Sequence, residues 1–208
     1  MSSKVAVIYY SATGTVHGLA SAVADGAESA GAEVRLRRVA ELAPKEAIAE
    51  SEKWHAHHEW ALAAVAEASH EDLEWADAYA FGTPTRFGNV SAQLKQFIDS
   101  TGPLWSRGVL AGKPVTVFTA ASNLHGGQES TVLSLSNVFY HWGAVLEPPG
   151  YTDDAVYAAG GNPYGASVTD SASPDDLAKA CSAASYQGAR LAEIADALVL
   201  ARVAKASV

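Results

Sequence analysis

Short apolar runs of strand length alternate with helical segments along the chain. The segment after the first run, for example, places Leu19, Val23 and Ala27 along one helical stripe and ends at Gly31. The predicted strands are 4–10, 33–39, 76–84, 113–120 and 144–151, and the predicted helices are 16–30, about 44–73, 91–101, 130–143 and 173–200, the last with Ser173 as N-cap. This strand–helix alternation predicts a parallel sheet with helices on both faces.

The first two runs differ in a way that predicts their places in the sheet. KVAVIYY, residues 4–10, is almost continuously apolar, as in a central strand buried on both faces. EVRLRRV, residues 33–39, alternates apolar residues with Arg35 and Arg37, so we expect an edge strand with one solvated face. A central first strand beside an edge second strand gives the order 2-1-3-4-5 in a five-stranded parallel sheet, the flavodoxin-like three-layer α/β sandwich. In this winding, ligands bind at the carboxyl ends of strands one and three.

A chain of 208 residues is expected to form one domain, 1–208, without a linker that would divide it. Segment 44–75 interrupts the regular pattern and is interpreted as a variable helical insertion. It contains His55, His57, His58 and His70. Because no framework of thiols and carboxylates accompanies these histidines, a solvated polar helix or an oligomer contact is favoured over a metal site.

The charge balance and the cysteine count limit the partners and the compartment. The 23 acidic and 14 basic residues give a net charge of −9, which disfavours nucleic acid and anionic membranes as partners. The one cysteine, Cys181, is interpreted as a buried packing residue. A single cysteine cannot form a disulfide within the chain, which fits a reducing compartment. No apolar run reaches the roughly 20 residues of a membrane span, and the N-terminal apolar stretch lacks a basic leader, so we expect a cytoplasmic protein.

The loop after the first predicted strand, SATGTV (residues 11–16), stands where many α/β proteins bind a phosphate. It lacks the G-x-G-x-x-G spacing of a dinucleotide loop and the lysine of a Walker loop, so both of those sites are disfavoured. Ser11, Thr13 and Thr15 offer hydroxyl donors. Gly14 permits a tight turn, and a helix N-terminus follows. These features suit a phosphate dianion bound by hydrogen bonds alone, and they equally suit an ordinary capping turn.

Two further loops leave the carboxyl ends of the third and fourth predicted strands, within 82–99 and 119–130. Parallel strands end at the same edge of a sheet, so all three loops are expected to converge. The second loop reads GTPTRFGN and is followed by LKQFIDSTGPLW, and the third contains HGGQE. With these motifs the chain resembles the WrbA-type NAD(P)H:quinone oxidoreductases, a flavodoxin-like family that binds FMN, along almost its whole length.

The resemblance implies a set of cofactor-binding residues in the three loops. They are Ser11, Ala12, Thr13, Gly14, Thr15 and Val16 in the first loop, Pro84, Thr85, Arg86, Phe87, Gly88 and Asn89 in the second, and Ala120, Ala121, Ser122, Asn123, Leu124, His125 and Gly126 in the third. His141, in YHWG, is implied to complete the FMN pocket across a subunit interface, and Trp105 to line the substrate pocket. The resemblance also implies tight, non-covalent FMN, NADH or NADPH as electron donor, and a homotetramer.

The chemistry of these residue types agrees with the implied cofactor. An isoalloxazine ring needs a flat apolar wall, which Phe87 and Trp105 can supply. Arg86 is the candidate cation for the negative charge that develops near N1 and the C2 carbonyl on two-electron reduction, and a ribityl or carboxylate partner for it is the alternative. His141 is interpreted as a pocket residue and proton donor to a quinone oxygen, or else as a hydrogen-bonded core histidine.

Two departures from the family pattern concern the electron donor and the pocket. Thr13 stands where many members carry a tyrosine that contacts nicotinamide, which leaves the choice between NADH and NADPH open. The third loop, TAASNLHGGQE, is bulkier than the glycine-rich version of the family. Asn123, Leu124 and His125 are therefore expected to narrow the pocket or to replace its hydrogen bonds.

The preferred interpretation is an FMN-dependent enzyme that transfers two electrons from NADH or NADPH to quinones by a ping-pong mechanism. The alternative is a flavodoxin-type electron-transfer carrier without a substrate of its own, which the acidic balance and the SATGT loop permit. A flavin-binding scaffold is a third interpretation. The loop that contains Arg86, together with Trp105, favours the enzyme over the carrier.

Overall fold

The computed structural model describes residues 2–206, and the strands within them form one parallel sheet. The strands are β1 (Lys4–Tyr9), β2 (Glu33–Arg38), β3 (Ala78–Pro84), β4 (Pro114–Ala121), β5 (Val145–Leu146) and β6 (Ser167–Thr169). Their order is β2-β1-β3-β4-β5, and β6 also pairs with β4. Val5 of β1 lies between Val34 of β2 and Ala78 of β3. The predicted winding is therefore confirmed.

The helices connect the strands and cover both faces of the sheet. They are α1 (Thr15–Ser29), α2 (Lys45–Ala49), α3 (Glu52–Ala64), α4 (His70–Trp75), α5 (Ala92–Ser100), α6 (Gly102–Ser106), α7 (Gln128–Trp142), α8 (Asp154–Ala158) and α9 (Pro174–Ala206). The predicted helix over 44–73 is three helices, because Ser51 caps α3 through the N–H of Trp54 and Ser69 precedes α4 as a second cap. Across residues 2–206, no helix combines the length and the apolarity that a membrane crossing requires.

The fifth position of the sheet is shared by two short strands. β5 pairs with the first two residues of β4, whereas β6 pairs with its last three. The predicted strand over 144–151 is wrong beyond Leu146, because Pro148 and Pro149 carry no N–H for a sheet ladder. The chain then leaves the sheet, forms α8 and returns as β6, which the sequence pattern did not predict. The described sheet thus has six strands where five were expected.

Alternate residues of β1 point into two separate cores, so the sheet is the middle of three layers. Val5 and Val7 belong to the core shared with α1 and α9, whereas Ile8 belongs to the core under α4, α5, α6 and α7. α1 and α9 touch backbone to backbone: a β-carbon on Gly26 would lie 1.9 Å from the carbonyl oxygen of Ser185. This close contact requires glycine.

The arginines of β2 are covered rather than fully solvated. Arg35 and Arg37 each donate to Oδ1 of Asp72 in α4, at 3.2 and 3.0 Å, and Arg35 also stacks on the ring of Trp75. The Asp72 carboxylate is itself buried, with its side chain 5% exposed. β2 is the predicted edge strand, but the expectation of a solvated face is wrong, because Asp72 supplies the charge that allows α4 to cover it.

Candidate functional site

Three loops follow β1, β3 and β4 and lie side by side at one edge of the sheet. They are loop 1 (residues 11–14), loop 2 (residues 85–91) and loop 3 (residues 122–127). The N–H of Thr85 donates to the carbonyl of Ala120 at 2.8 Å, and the hydroxyl of Thr131 donates to Oγ1 of Thr85 at 2.7 Å. Loops 2 and 3 also touch where a β-carbon on Gly127 would lie 3.0 Å from Cα of Gly88. Loops 2 and 3 therefore form one surface, and loop 1 leaves the neighbouring parallel strand β1 at the same end of the sheet, which is the switch point of the winding.

Loop 1 leads from β1 into α1 without a side-chain cap. Gly14 is the N-cap residue with φ of 100°, a left-handed conformation that favours glycine. The Oγ of Ser11 accepts the N–H of Gly14 at 3.1 Å, so this hydroxyl supports the loop and not the helix. Within residues 2–206, no side chain caps α1, which leaves its first-turn N–H groups and positive helix end available to an anion. This geometry favours an anion site over an ordinary capping turn.

Loop 2 holds an aromatic ring out of the protein on a tight turn. Arg86 and Asn89 exchange two backbone hydrogen bonds, at 2.8 and 3.1 Å, and Phe87 between them has a φ of 53°. Such a conformation is strained for an aromatic residue, and the Phe87 side chain is fully exposed. The Arg86 guanidinium donates to the carbonyl of Thr85 and makes no ion pair with any carboxylate of residues 2–206. The turn thus presents an apolar surface beside an uncompensated cation.

Loop 3 carries most of its predicted ligand residues on the surface. Those exposed are Ser122, Asn123, Leu124 and His125. Ala120 and Ala121 lie in β4 with buried side chains, and Val16 is buried in α1, so these three reach a ligand only through backbone groups. Gly127, with φ of 93°, is the N-cap of α7 and turns the chain back along the sheet.

Comparison with known proteins identifies the family of a chain with this loop arrangement. The family model described as NADPH-dependent FMN reductase matches residues 3–153, a range that contains all three loops. The chain belongs to this family.

Individual proteins similar to this FMN reductase family member support the same assignment. A NAD(P)H dehydrogenase (quinone) of Deinococcus radiodurans is 49% identical over 171 residues, covering 82% of this chain and 85% of the relative. One from Aromatoleum aromaticum is 44% identical over 208 residues, covering 97% of this chain and 100% of the relative. The crystal structure of the flavodoxin, WrbA-like protein from Agrobacterium tumefaciens aligns with a TM-score of 0.63 at 27% identity, covering 94% and 98% of the two chains. The resemblance predicted from the loop motifs is thereby confirmed.

In this FMN reductase family member, Trp105 and His141 lie at the opposite edge of the sheet from the loops. The indole N–H of Trp105 donates to the backbone carbonyl of His141 at 2.8 Å, and both side chains line a cleft of about 460 Å³ between α5, α6 and α7. α7 starts at loop 3 with Gln128, so His141 lies roughly 20 Å along the helix from that loop. Within one chain, neither residue comes near the three loops.

Glu41, which no sequence motif singled out, ties the insertion to the loop edge. Its carboxylate accepts from the hydroxyl of Tyr10 at 2.7 Å, from Nε1 of Trp54 at 3.1 Å and from Nε2 of Gln93 at 2.7 Å. Burial alone would raise the pKa of Glu41, but hydrogen bonds from Ala43 and Gln93 outweigh it and hold the pKa below its ordinary value. Because the donors come from separate elements, the sequence carries no signal for this cluster.

A histidine–aromatic cluster, formed by Tyr9, His17, His57 and Trp60, borders loop 1. The hydroxyl of Tyr9 lies 2.7 Å from Nδ1 of His17, the His17 and Trp60 rings meet edge to face at 4.6 Å, and Trp60 stacks on His57 at 5.4 Å. Burial raises the pKa of Tyr9 to about 12 and lowers the pKa of His17. From the sequence, the run HAHHEW (residues 55–60) is predicted to be part of a solvated polar helix or an oligomer contact. Its position beside loop 1 is not predicted. Among the described residues, no three histidine, cysteine or acidic side chains gather as metal ligands.

Proposed function

We propose that this protein holds FMN across loops 1, 2 and 3 and transfers two electrons from NADH or NADPH to quinones. One observation carries the proposal. In the described structure, the uncapped N-terminus of α1, the exposed ring of Phe87 and the guanidinium of Arg86, which makes no ion pair, all lie at the end of the sheet where the strands finish. The family match supports it, as do curated relatives at 41–49% identity that are named NAD(P)H dehydrogenase (quinone).

Loop 1 is the part of the site suited to the phosphate of FMN. The N–H groups of the first turn of α1 donate to phosphate oxygens, and the hydroxyls of Thr13 and Thr15 add further donors. Gly14 keeps the loop backbone open to a bulky anion, because it carries no side chain and adopts a positive φ. Loop 1 would hold the phosphate end of FMN, which leaves loops 2 and 3 for the ring end.

Loops 2 and 3 are the part of the site suited to the isoalloxazine ring. FMN supplies the redox chemistry, accepting a hydride from nicotinamide and delivering two electrons to a quinone. Phe87 provides an apolar wall for the ring, because its side chain is fully exposed on loop 2. Arg86 on the same turn stabilises negative charge on the ring edge beside it. With FMN held there, nicotinamide and quinone would bind beside Phe87 in turn, which predicts ping-pong kinetics.

His141 and Trp105 join this site only from a second subunit, since one chain holds them at the far edge of the sheet. We therefore retain the homotetramer as part of the proposal, with His141 placing a proton donor near a quinone oxygen and Trp105 lining the substrate slot. Exposed apolar side chains on the outer face of α7, Leu133 and Tyr140, give such an assembly a surface to bury.

The absorption spectrum of the purified protein, followed by stopped-flow mixing with NADH and with NADPH, tests the function. We expect a yellow protein whose flavin bleaches with either nicotinamide and recovers on addition of a quinone. A colourless protein that takes up no added FMN contradicts the proposal. Anaerobic photoreduction separates the electron carrier from the enzyme, because a carrier accumulates one-electron-reduced flavin whereas the proposed enzyme passes directly to the two-electron state.

A further inference from the structure

Helix α3 of the insertion places an imidazole directly against loop 1. A β-carbon on Gly14 would lie 3.4 Å from Nδ1 of His57, 3.8 Å from its Cε1 and 3.9 Å from its Cγ. The ring therefore faces the Cα of the residue that opens α1. The N–H groups of the first turn of α1, which would bind a phosphate, therefore follow directly on the residue that this imidazole faces.

The neighbouring rings hold His57 in this position. Its ring stacks on Trp60 at 5.4 Å and lies 5.8 Å from the ring of His17. His17 is occupied on both nitrogens, since Nδ1 lies 2.7 Å from the hydroxyl of Tyr9 and Nε2 lies 3.3 Å from Oγ of Ser21. His57 is thus the histidine of the cluster that is placed to meet a ligand on loop 1.

The charges around His57 leave the loop without a cation of its own. No lysine or arginine occurs between Lys4 and Arg35 in the sequence. The titratable groups that surround His57 are Tyr9 from β1, Tyr10 directly after that strand, His17 from α1, Arg38 from β2, Glu41 from the chain after β2, and His58 from α3 itself. Arg38 donates to the carbonyl of Val65 and pairs with Glu67. Glu41 is likewise engaged by the donors described above.

The surroundings of His57 favour its neutral form when no ligand is present. Burial lowers the pKa of His57, and the neighbouring His17 and His58 lower it further. A dianion beside the ring acts in the opposite direction, because an opposite charge at close range favours the protonated imidazole. The surroundings therefore favour the neutral imidazole without a ligand, and a bound dianion would favour the cation.

We propose that His57 is a phosphate-binding residue that takes up one proton from solvent when the dianionic phosphate of FMN occupies loop 1. This inference rests on the proposed function, since it assigns a role within the FMN site. The reaction balances as neutral imidazole plus one solvent proton giving imidazolium, paired with the phosphate. FMN affinity should then fall as pH rises from about 6.5 to 8.5, a range in which the phosphate monoester is already largely dianionic.

Titration of FMN and riboflavin into the full-length, flavin-freed chain isolates the phosphate contribution. The variants are His57→Gln and, as matched control, His55→Gln, whose side chain is exposed two residues earlier on the same helix. In the wild type and in His55→Gln, we expect the preference for FMN over riboflavin to fall about tenfold between pH 6.5 and 8.5. In His57→Gln, the preference should be lower at pH 6.5 and independent of pH.

Calorimetry of FMN binding to the wild type, in two buffers of different ionisation enthalpy, measures the proton directly. Uptake of a large fraction of one proton near pH 7.5, absent with riboflavin, supports the proposal. No proton uptake by the wild type overturns it without any variant, as does equal pH dependence for riboflavin. If His57→Gln keeps the wild-type pH dependence, the proposal also fails. Failure of the wild type to bind FMN at any pH instead contradicts the proposed function.

Discussion

The indole N–H of Trp105 donates to the backbone carbonyl of His141 at 2.8 Å and thereby ties α6 to the last turn of α7. The sequence predicts both residues in the flavin or substrate pocket. The hydrogen bond between them lies instead at the end of the sheet where the strands begin, opposite loops 1, 2 and 3. α7 is antiparallel to the strands and carries His141 away from loop 3 along its length. If these residues serve the flavin, each site must combine the loops of one chain with the α7 end of another.

Mixing two inactive variants tests whether the site is shared between chains. Arg86→Ala removes the cation of loop 2, and His141→Ala removes the candidate proton donor. If each site takes its loops and His141 from different subunits, mixed oligomers contain some sites with both residues intact. For dimeric pairs, random mixing should restore about a quarter of wild-type quinone turnover. Turnover that stays at the level of the separate variants after unfolding, mixing and refolding contradicts the shared site.

Gly14→Ala should weaken FMN binding by about tenfold or more and destabilise loop 1 by about 1–2 kcal/mol. The φ of 100° is strained for alanine, and its β-carbon would lie in contact with Nδ1 of His57 at 3.4 Å, where it would occupy part of the loop surface. Gly18→Ala is the matched control in the same helix, because its added β-carbon meets no atom within 4 Å. That control should raise stability by up to about 1 kcal/mol. Flavin titration and thermal melting measure both effects, and equal flavin affinity in the two variants contradicts this role for Gly14.

The strand order could be predicted because it follows from the hydrophobic pattern within each strand. The unbroken apolar run at 4–10 requires cover on both faces, and the alternation around Arg35 and Arg37 marks an edge. Asp72, which pairs with those arginines, comes from a distant helix and has no local signal. β6 has three residues and gains its ladder only from β4, so periodicity could not find it.

The candidate site likewise contains residues that the sequence could predict and residues that it could not. Loop positions follow from strand ends, so residues such as Arg86 and Phe87 could be assigned to the correct edge from motif and topology. The approach of His57 to Gly14 depends on how α3 packs, which no spacing in the sequence encodes. His141 lies in a motif of the resembling family, but its place depends on assembly, and the fold of one chain cannot supply that.

Asp72→Asn should lower the free energy of unfolding by about 2–3 kcal/mol, because it leaves two half-buried arginines without their charge partner. Burial alone would raise the pKa of Asp72, but the hydrogen bond from Ser69 N–H and the charge of Arg37 outweigh it and lower the pKa. The stability due to the carboxylate is present above its ordinary pKa and is lost as pH falls through the lowered value. Urea unfolding at pH 7 and below pH 4 should therefore show a gap from wild type that narrows in acid.

The exposed pair of Lys95 and Asp99 on α5 provides the control for Asp72. Asp99 is 61% exposed, so Asp99→Asn should change the unfolding free energy by less than about 0.5 kcal/mol. A loss as large as that of Asp72→Asn would show that removal of any acidic charge from this protein, rather than the covered pair, determines the result.

Glu147→Gln should remove a pH dependence from stability and leave the protein more stable than wild type above neutral pH. The Glu147 side chain is 2% exposed, its Oε1 accepts from Nε of Arg190 at 2.5 Å, and its Oε2 has no hydrogen-bond partner among the described residues. Burial raises the pKa of Glu147 to about 7 against the opposing charge of Arg190. The folded state thus binds a proton that the unfolded chain releases near pH 4.5, so wild-type stability falls as pH rises toward 7, by up to about 3 kcal/mol. Urea unfolding at pH 5 and pH 8 measures this, with the exposed Glu28→Gln as control, and parallel pH profiles for wild type and Glu147→Gln would contradict the assignment.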